Sequence, residues 1–268
     1  MQSGSRKDKN VMRYSIRLSY NGLSLNGWQR QDNAPSVQEE LSKALSTLLG
    51  SSTDVTGAGR TDARVNAVNY IAHFDTPNTV PIDATRLVYK INAILPKNIA
   101  VHEILPSPDG FHARFSAISR EYHYFIHLGK DPFMESFSYR CRCPIDMERM
   151  NSAARHLLGT HDFSCFEKKG SDNRTSVCTV YEAIWETYVP AHVTVMGFPC
   201  HSGDYMVFRI RADRFLRNMV RAIVGSLVDV GRGKREPEWI AELMTSGSRG
   251  DAGGSVPGHA LFLSEVRY

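Results

Sequence analysis

The chain has 268 residues, 42% hydrophobic and 22% charged, with a formal net charge of +4 from 32 basic and 28 acidic residues. That balance excludes wholesale disorder, and the length suits two modest domains better than one compact core. No apolar run approaches the roughly 20 residues needed to cross a bilayer, and residues 1–10 lack the apolar stretch of a secretory signal, so neither membrane nor export is expected.

The net charge is too small to identify a nucleic-acid binder, but its make-up is informative. Arginine accounts for 23 of the basic residues and lysine for 9. A guanidinium forks onto phosphate and stacks on bases where an ammonium does not, although genomic composition alone also produces arginine preference. The five cysteines are an odd number, at 141, 143, 165, 178 and 200. A secreted disulfide framework is therefore not expected, and a reducing cytoplasm fits better. Cys141-Arg142-Cys143 lacks the spacing of a zinc knuckle, and no metal is expected.

In chain order, Tyr14, Ile16, Leu18 and Tyr20 alternate with polar residues as a half-buried strand that ends at Asn21-Gly22. Ser36-Val37-Gln38-Glu39 has capping-box spacing and opens a helix with the stripe Val37, Leu41, Ala44, Leu45, Leu48 and Leu49, stopped by Gly50. Val68, Tyr70, Ala72 and Phe74 alternate as a second strand. Asp83 caps a helix through Leu87, Val88, Ile91 and Leu95 that Pro96 breaks, and 99–105 is a third strand. After a Pro- and Gly-containing join at 107–116, Tyr122, Tyr124, Ile126 and Leu128 form a strand. Met147, Met150, Ala154, Leu157 and Leu158 form a helical stripe, strands follow near 177–188 and 205–211, a helix carries Phe215, Met219, Val220, Ile223, Val224 and Leu227, and 261–268 is the last strand. Two stretches of mixed elements predict an α+β chain of two domains with largely antiparallel sheets flanked by helices, residues 1–112 and 113–268.

Three stretches could carry chemistry. Gly57-Ala58-Gly59-Arg60-Thr61-Asp62-Ala63-Arg64 sets a carboxylate between two arginines just before a strand. Asp62 is either an ionised nucleophile beside a guanidinium or half of an ordinary surface pair, and the Lys-Ser/Thr ending of a phosphate-binding Walker loop is absent. Arg209, Arg211, Arg214, Arg217 and Arg221 place five guanidiniums in 13 residues with only Asp213 opposing. Helical spacing predicts Arg214, Arg217 and Arg221 on one face, which suits either a phosphate backbone or plain solvent. In Arg120-Glu121-Tyr122-His123-Tyr124 the two tyrosines share a strand face, for core packing or for stacking on an extruded base.

Taken together these stretches resemble the TruA family of tRNA pseudouridine synthases. The resemblance runs through Tyr20-Asn21-Gly22, Gly27-Trp28-Gln29, Ser36-Val37-Gln38, Gly59-Arg60-Thr61-Asp62, Arg120 with Tyr122 and Tyr124, Gly159-Thr160-His161-Asp162-Phe163-Ser164, Phe215 with Met219-Val220-Arg221 and Gly225, and Leu261-Phe262-Leu263. It implies two domains meeting at a central basic cleft, a homodimer, tRNA as partner through its anticodon stem-loop (uridines at tRNA positions 38–40), and neither cofactor nor metal. It assigns the nucleophile to Asp62, a stacking role with help in proton transfer to Tyr122, and pairing with Asp62 to Arg221. By the same resemblance Arg60 would contact RNA and displace the base and Leu261 would line the base pocket, while the arginine-rich stretches themselves add Arg64, Arg214 and Arg217 as RNA contacts.

The chain departs from the family pattern after the nucleophile, where Arg64-Val65-Asn66 replaces Gly-Val-His, and at Ala260, where glycine is usual. Without that glycine, position 64 is expected to tolerate a φ below zero. The rival functions are a non-catalytic tRNA-binding protein or RNA chaperone, which would tolerate loss of Asp62, and a glycosidic-bond hydrolase, which would ordinarily need a second carboxylate.

Overall fold

The computed structural model describes residues 11–32, 34–77, 82–168, 170, 174–201 and 203–268. Its first half holds β1 (Val11–Tyr20), α1 (Val37–Leu49), β2 (Val55–Gly57), β3 (Asn66–Pro77), α2 (Ala84–Ile94) and β4 (Ile99–Pro106). Its second half holds β5 (Ser119–His127), β6 (Tyr139–Arg140), α3 (Met147–Arg155), β7 (Gly159–Asp162), β8 (Val177–Thr187), α4 (Ala191–Met196), β9 (Tyr205–Ala212), α5 (Met219–Gly231), α6 (Trp239–Ser246) and β10 (Leu261–Arg267).

The predicted stops work as local chemistry says they should. The Ser36 side chain accepts from the Glu39 amide, and Gly50 closes α1 at φ 69 with its amide donating to the Ser46 carbonyl. The reciprocal half of the capping box is absent, because the Glu39 carboxylate pairs with Lys43 at 2.7 Å instead. Asp83 caps α2 by accepting from the Arg86 amide at 3.0 Å.

The α+β class holds, and the strands of both halves join in one ten-stranded sheet, ordered β4-β1-β3-β10-β5-β9-β8-β7, with β2 on β3 and β6 on β5. The last strand makes it continuous: β10 runs parallel to β3 through Phe262 and Leu263 and antiparallel to β5. Two apolar cores lie along the sheet. One gathers Ile16, Leu18, Leu41, Leu45, Tyr70, Phe74 and Ile91. The other gathers Met150, Leu157, Phe163, Trp185, Phe208, Ile223 and Val224. Tyr122 packs against both.

One helix starts later than its pattern predicts. Phe215 and the arginines at 214 and 217 precede α5, because Asn218 takes a left-handed φ of 65 that a right-handed helix cannot include. Arg214, Arg217 and Arg221 therefore do not form one helical face. The Asn218 amide side chain is spent instead on Ser255 Oγ at 2.6 Å, which ties the turn to the segment before β10.

Candidate active site

The segment from Ala58 to Val65 crosses from β2 to β3 and is fixed along its length by backbone bonds. The Ala58 amide donates to the Ile71 carbonyl at 2.9 Å, the Trp28 amide to the Thr61 carbonyl at 3.3 Å, the Arg64 amide to the Leu25 carbonyl at 3.1 Å and the Val65 amide to the Asp62 carbonyl at 3.2 Å. Tyr70 donates its hydroxyl to the Gly59 carbonyl, and the Trp28 ring stacks on Tyr70 with centroids 4.2 Å apart. The Thr61 and Tyr20 hydroxyls meet at 2.9 Å. Two glycines let the neighbouring chain come this close. A Cβ on Gly22 would lie 2.1 Å from the Val65 carbonyl oxygen, and one on Gly27, at φ 86, would lie 2.2 Å from that of Thr61.

Asp62 emerges from this rigid segment. Arg221, on the first turn of α5, donates from Nη1 to Asp62 Oδ2 at 3.2 Å, and its Nε donates to the Val256 carbonyl at 2.7 Å. The guanidinium is thus aimed by the backbone before β10 and holds the carboxylate from the opposite half of the molecule. The two side chains are 25% and 22% exposed, so the carboxylate is reachable from outside rather than sealed. Tyr122 lies in the same neighbourhood, half-buried on β5, its ring edge-on to Phe215 at 5.1 Å. Burial first, and then the negative charge of Asp62, push its phenol well above the ordinary range, so it is a neutral hydroxyl at physiological pH. Leu261 is buried beside Val65 and Tyr124 in one apolar cluster.

The arginines sort into two groups. Arg60, Arg64 and Arg217 are exposed and Arg214 is half-exposed. Among the described residues none of these four guanidiniums has a hydrogen-bond or ion-pair partner. Arg209 and Arg211 differ: Arg209 forms ion pairs with Glu182 and Glu186, each at 3.1 Å, and Arg211 lies 3.9 Å from Glu182. The near-absence of acidic partners inferred from sequence is therefore corrected for these two, because β8 runs beside β9 and supplies the missing carboxylates across the strand pair.

The expectation for position 64 is also corrected. Arg64 keeps a φ of 66, the left-handed shape that glycine would adopt freely. Its amide is committed to Leu25 and its carbonyl side abuts Gly22, so the loop dictates the backbone whatever the side chain. Asn66 is buried and bridges two segments. It accepts from the Gly22 amide at 2.8 Å and donates to the His259 carbonyl at 2.7 Å.

Sequence reasoning missed what Arg120 does. Its guanidinium donates to the carbonyls of Ala58 (3.0 Å), Arg114 (2.6 Å), Ala117 (3.2 Å) and Asp213 (2.9 Å). One side chain thus fastens the start of the Asp62 segment, the 107–118 connection and the turn before Arg214. Only its place two residues before Tyr122 in a charged strand hinted at this. The cysteines are all unpaired, and among the described residues no cluster of three or more His, Cys, Asp or Glu could hold a metal. No helix of the described residues is long and apolar enough to cross a membrane.

Comparison with known proteins identifies the family. The tRNA pseudouridine synthase family profile matches residues 153–268. The chain is 43% identical over 258 residues to tRNA pseudouridine synthase A of Porphyromonas gingivalis, covering 96% of this chain and 98% of that protein. It is 42% identical over 259 residues to the protein of that name from Bacteroides fragilis, covering 96% and 97%. For the Bacillus subtilis protein of that name the identity is 39% over 261 residues, covering 96% and 99%. Similarity of that extent, spanning both cores and the Asp62 segment between them, shows that the chain belongs to the TruA family of tRNA pseudouridine synthases.

Proposed function

We propose that this chain isomerises uridine to pseudouridine in the anticodon stem-loop of tRNA, with Asp62 as the reacting carboxylate. The observation that carries the reading is the Asp62–Arg221 pair, a single reachable carboxylate held by a guanidinium that the backbone of the opposite half has aimed. The reaction detaches uracil from ribose at N1, turns it and rejoins it at C5. A base stacked in a stem cannot present these atoms, so the nucleotide is flipped out at a cost of a few kcal/mol. The guanidiniums of Arg60, Arg64, Arg214 and Arg217, which have no partner among the described residues, hold phosphates of the flipped state in this reading.

Asp62 then either attacks the sugar or removes a proton to give a glycal-like intermediate. Tyr122, a neutral phenol beside it, supplies a ring for the extruded base and a proton donor for the rearrangement. Leu261 and its apolar neighbours back the base pocket. Because bond breaking and remaking share one site, Arg221 contributes as a pre-set positive charge next to the reacting group.

The same reading treats residues 1–112 and 113–268 as two units facing a common cleft and takes the working protein as a cytoplasmic homodimer.

Asp62→Asn tests the proposal. The variant should bind tRNA as the parent does and form no pseudouridine, read by tritium release or by chemical labelling of the product. Turnover by Asp62→Asn excludes Asp62 as the essential group. Tight tRNA binding without any conversion by the parent protein instead favours the rival, a tRNA-binding protein or RNA chaperone built on the same arginines.

A further inference from the structure

The connection between β4 and β5 is more rigid than a surface loop needs to be, and it displays an aromatic ring to solvent. Its backbone is satisfied from several directions. The Ala113 amide donates to His73 Nδ1 at 3.1 Å, and Tyr268 donates to the Ala113 carbonyl at 2.8 Å. The Arg114 and Phe115 amides both donate to His112 Nδ1, at 3.2 and 3.3 Å. The His112 amide donates to Ser116 Oγ at 2.9 Å, and the Ser116 amide returns to the His112 carbonyl at 2.8 Å. Arg120 clamps Arg114 and Ala117 to the Ala58 carbonyl.

At the tip of this frame Phe115 is 75% exposed. Its ring rests on His112 with centroids 4.4 Å apart, and the Arg114 guanidinium lies 5.5 Å from its centroid. A phenyl that is 75% exposed contributes little to folding, and although Ala113 beneath it belongs to the core, the ring at the tip does not. An aromatic ring beside an arginine, held on a rigid support, is the arrangement that stacks an unpaired nucleobase: the ring supplies the face and the guanidinium a phosphate contact or a second stacking plane.

We propose that Phe115, with Arg114, is a stacking platform for an unpaired base of the RNA next to the target nucleotide. The inference rests on the function proposed above and names a contact that function does not use. Removing a uridine from its stack leaves the neighbouring base with one bare face. A ring carried on the clamp that also positions the Asp62 segment can cover that face at the moment of flipping. Because the clamp joins the ring's backbone directly to the Ala58 carbonyl, the platform is registered to the reacting carboxylate and not to a separate surface.

The test compares Phe115→Ala, Phe115→Leu and Phe115→Trp for binding to a tRNA transcript, to oligouridylate and to inorganic polyphosphate. Pseudouridine formation is followed under single-turnover and steady-state conditions. Stacking predicts that Phe115→Ala and Phe115→Leu bind tRNA and oligouridylate roughly tenfold more weakly, that KM rises more than kcat falls, and that polyphosphate binding is unchanged, since polyphosphate has charge but no bases. Phe115→Trp should keep parental affinity, and its added indole fluorescence should be quenched by oligouridylate but not by polyphosphate. Thermal unfolding of all three should match the parent. Parental affinity in Phe115→Leu overturns the proposal, because bulk would then suffice. So does a change in sedimentation with no change in RNA affinity, which would mark Phe115 as a contact to protein. If the parent binds tRNA but converts no uridine, the proposed reaction fails while the affinity arm still decides the platform.

Discussion

At its Ala58 end the Asp62 segment is tied to neighbouring loops by a charged side chain, and at its Val65 end it is pressed against glycine. Arg120 reaches the Ala58 carbonyl and three others, so that end depends on one guanidinium whose loss would leave several carbonyls unserved. Gly22 lies against Val65 and Asn66 bridges Gly22 to His259, so the other end depends on close backbone approach and one buried amide. The two ends also face outward differently, with an aromatic ring beyond the first and an unpaired arginine at the second. The contrast separates residues that position Asp62 from residues that are free to meet a ligand, although both kinds are arginines in a polar stretch.

The largest effect is expected at Arg120. Arg120→Ala should lower stability by about 3 kcal/mol, because hydrogen bonds to a charged donor are each worth about 1.5–3 kcal/mol and several partners are lost together. Chemical denaturation reads that loss, and pseudouridine formation should drop with it. A variant that unfolds like the parent would show that the four carbonyls are served by water.

Acidification probes the same end more gently. Burial first, then the positive charge of Arg13, hold the His73 imidazole down at about 4, and its Nδ1 accepts from the Ala113 amide only while unprotonated. The unfolded chain takes up that proton nearer 6.5, so between those values it binds more protons than the folded chain. The contribution is complete above about pH 6.5 and is lost as pH falls through about 4. The protection of the Ala113 amide, its hydrogen exchange measured against the intrinsic rate at each pH, should fall over that interval. His73→Asn, which cannot titrate, should flatten the dependence, and an unaltered profile would remove His73 as its source.

The Val65 end is sharpened by Arg64→Gly. Relief of a left-handed non-glycine conformation is worth about 1 kcal/mol, so thermal stability should rise while tRNA affinity falls. The slope of log affinity against log salt should shrink by about 1 if Arg64 holds one phosphate. Equal affinity in both proteins would return Arg64 to the status of a solvated side chain. The smallest effect is expected at Arg209→Ala, where the guanidinium already serves Glu182 and Glu186. The salt slope of tRNA binding should not change, and a decrease of about 1 would mean that those carboxylates release it to the RNA.

Much of the fold was legible because it rests on local patterns. The alternation from Tyr14 to Tyr20, the cap at Ser36, the stop at Gly50 and the cap at Asp83 are short-range effects, and each recurs in the structure. Elements too short to show a period, such as β2, β6 and β7, were not legible, since their existence depends on a neighbour's edge. The late helix shows how a single residue overrides a pattern. Its apolar period continues back to Phe215, yet Asn218 adopts a left-handed turn and spends its side chain on Ser255.

By itself the sequence determined the composition of the site: one carboxylate in an arginine-rich loop, two tyrosines on a strand and a late arginine-bearing helix. It also determined the family, through the order of those stretches. Only the tertiary structure decided which arginines are neutralised by Glu182 and Glu186, which clamps backbone and which are left to bind a partner, while the pairing of Arg221 with Asp62 was already implied by the resemblance. The physical reason is that a guanidinium's role is set by the acceptors within reach of its long side chain. Most of those acceptors come from residues tens to more than a hundred positions away, brought together when β10 pairs between β3 and β5, although Ala117 and Arg114 lie 3 and 6 positions from Arg120.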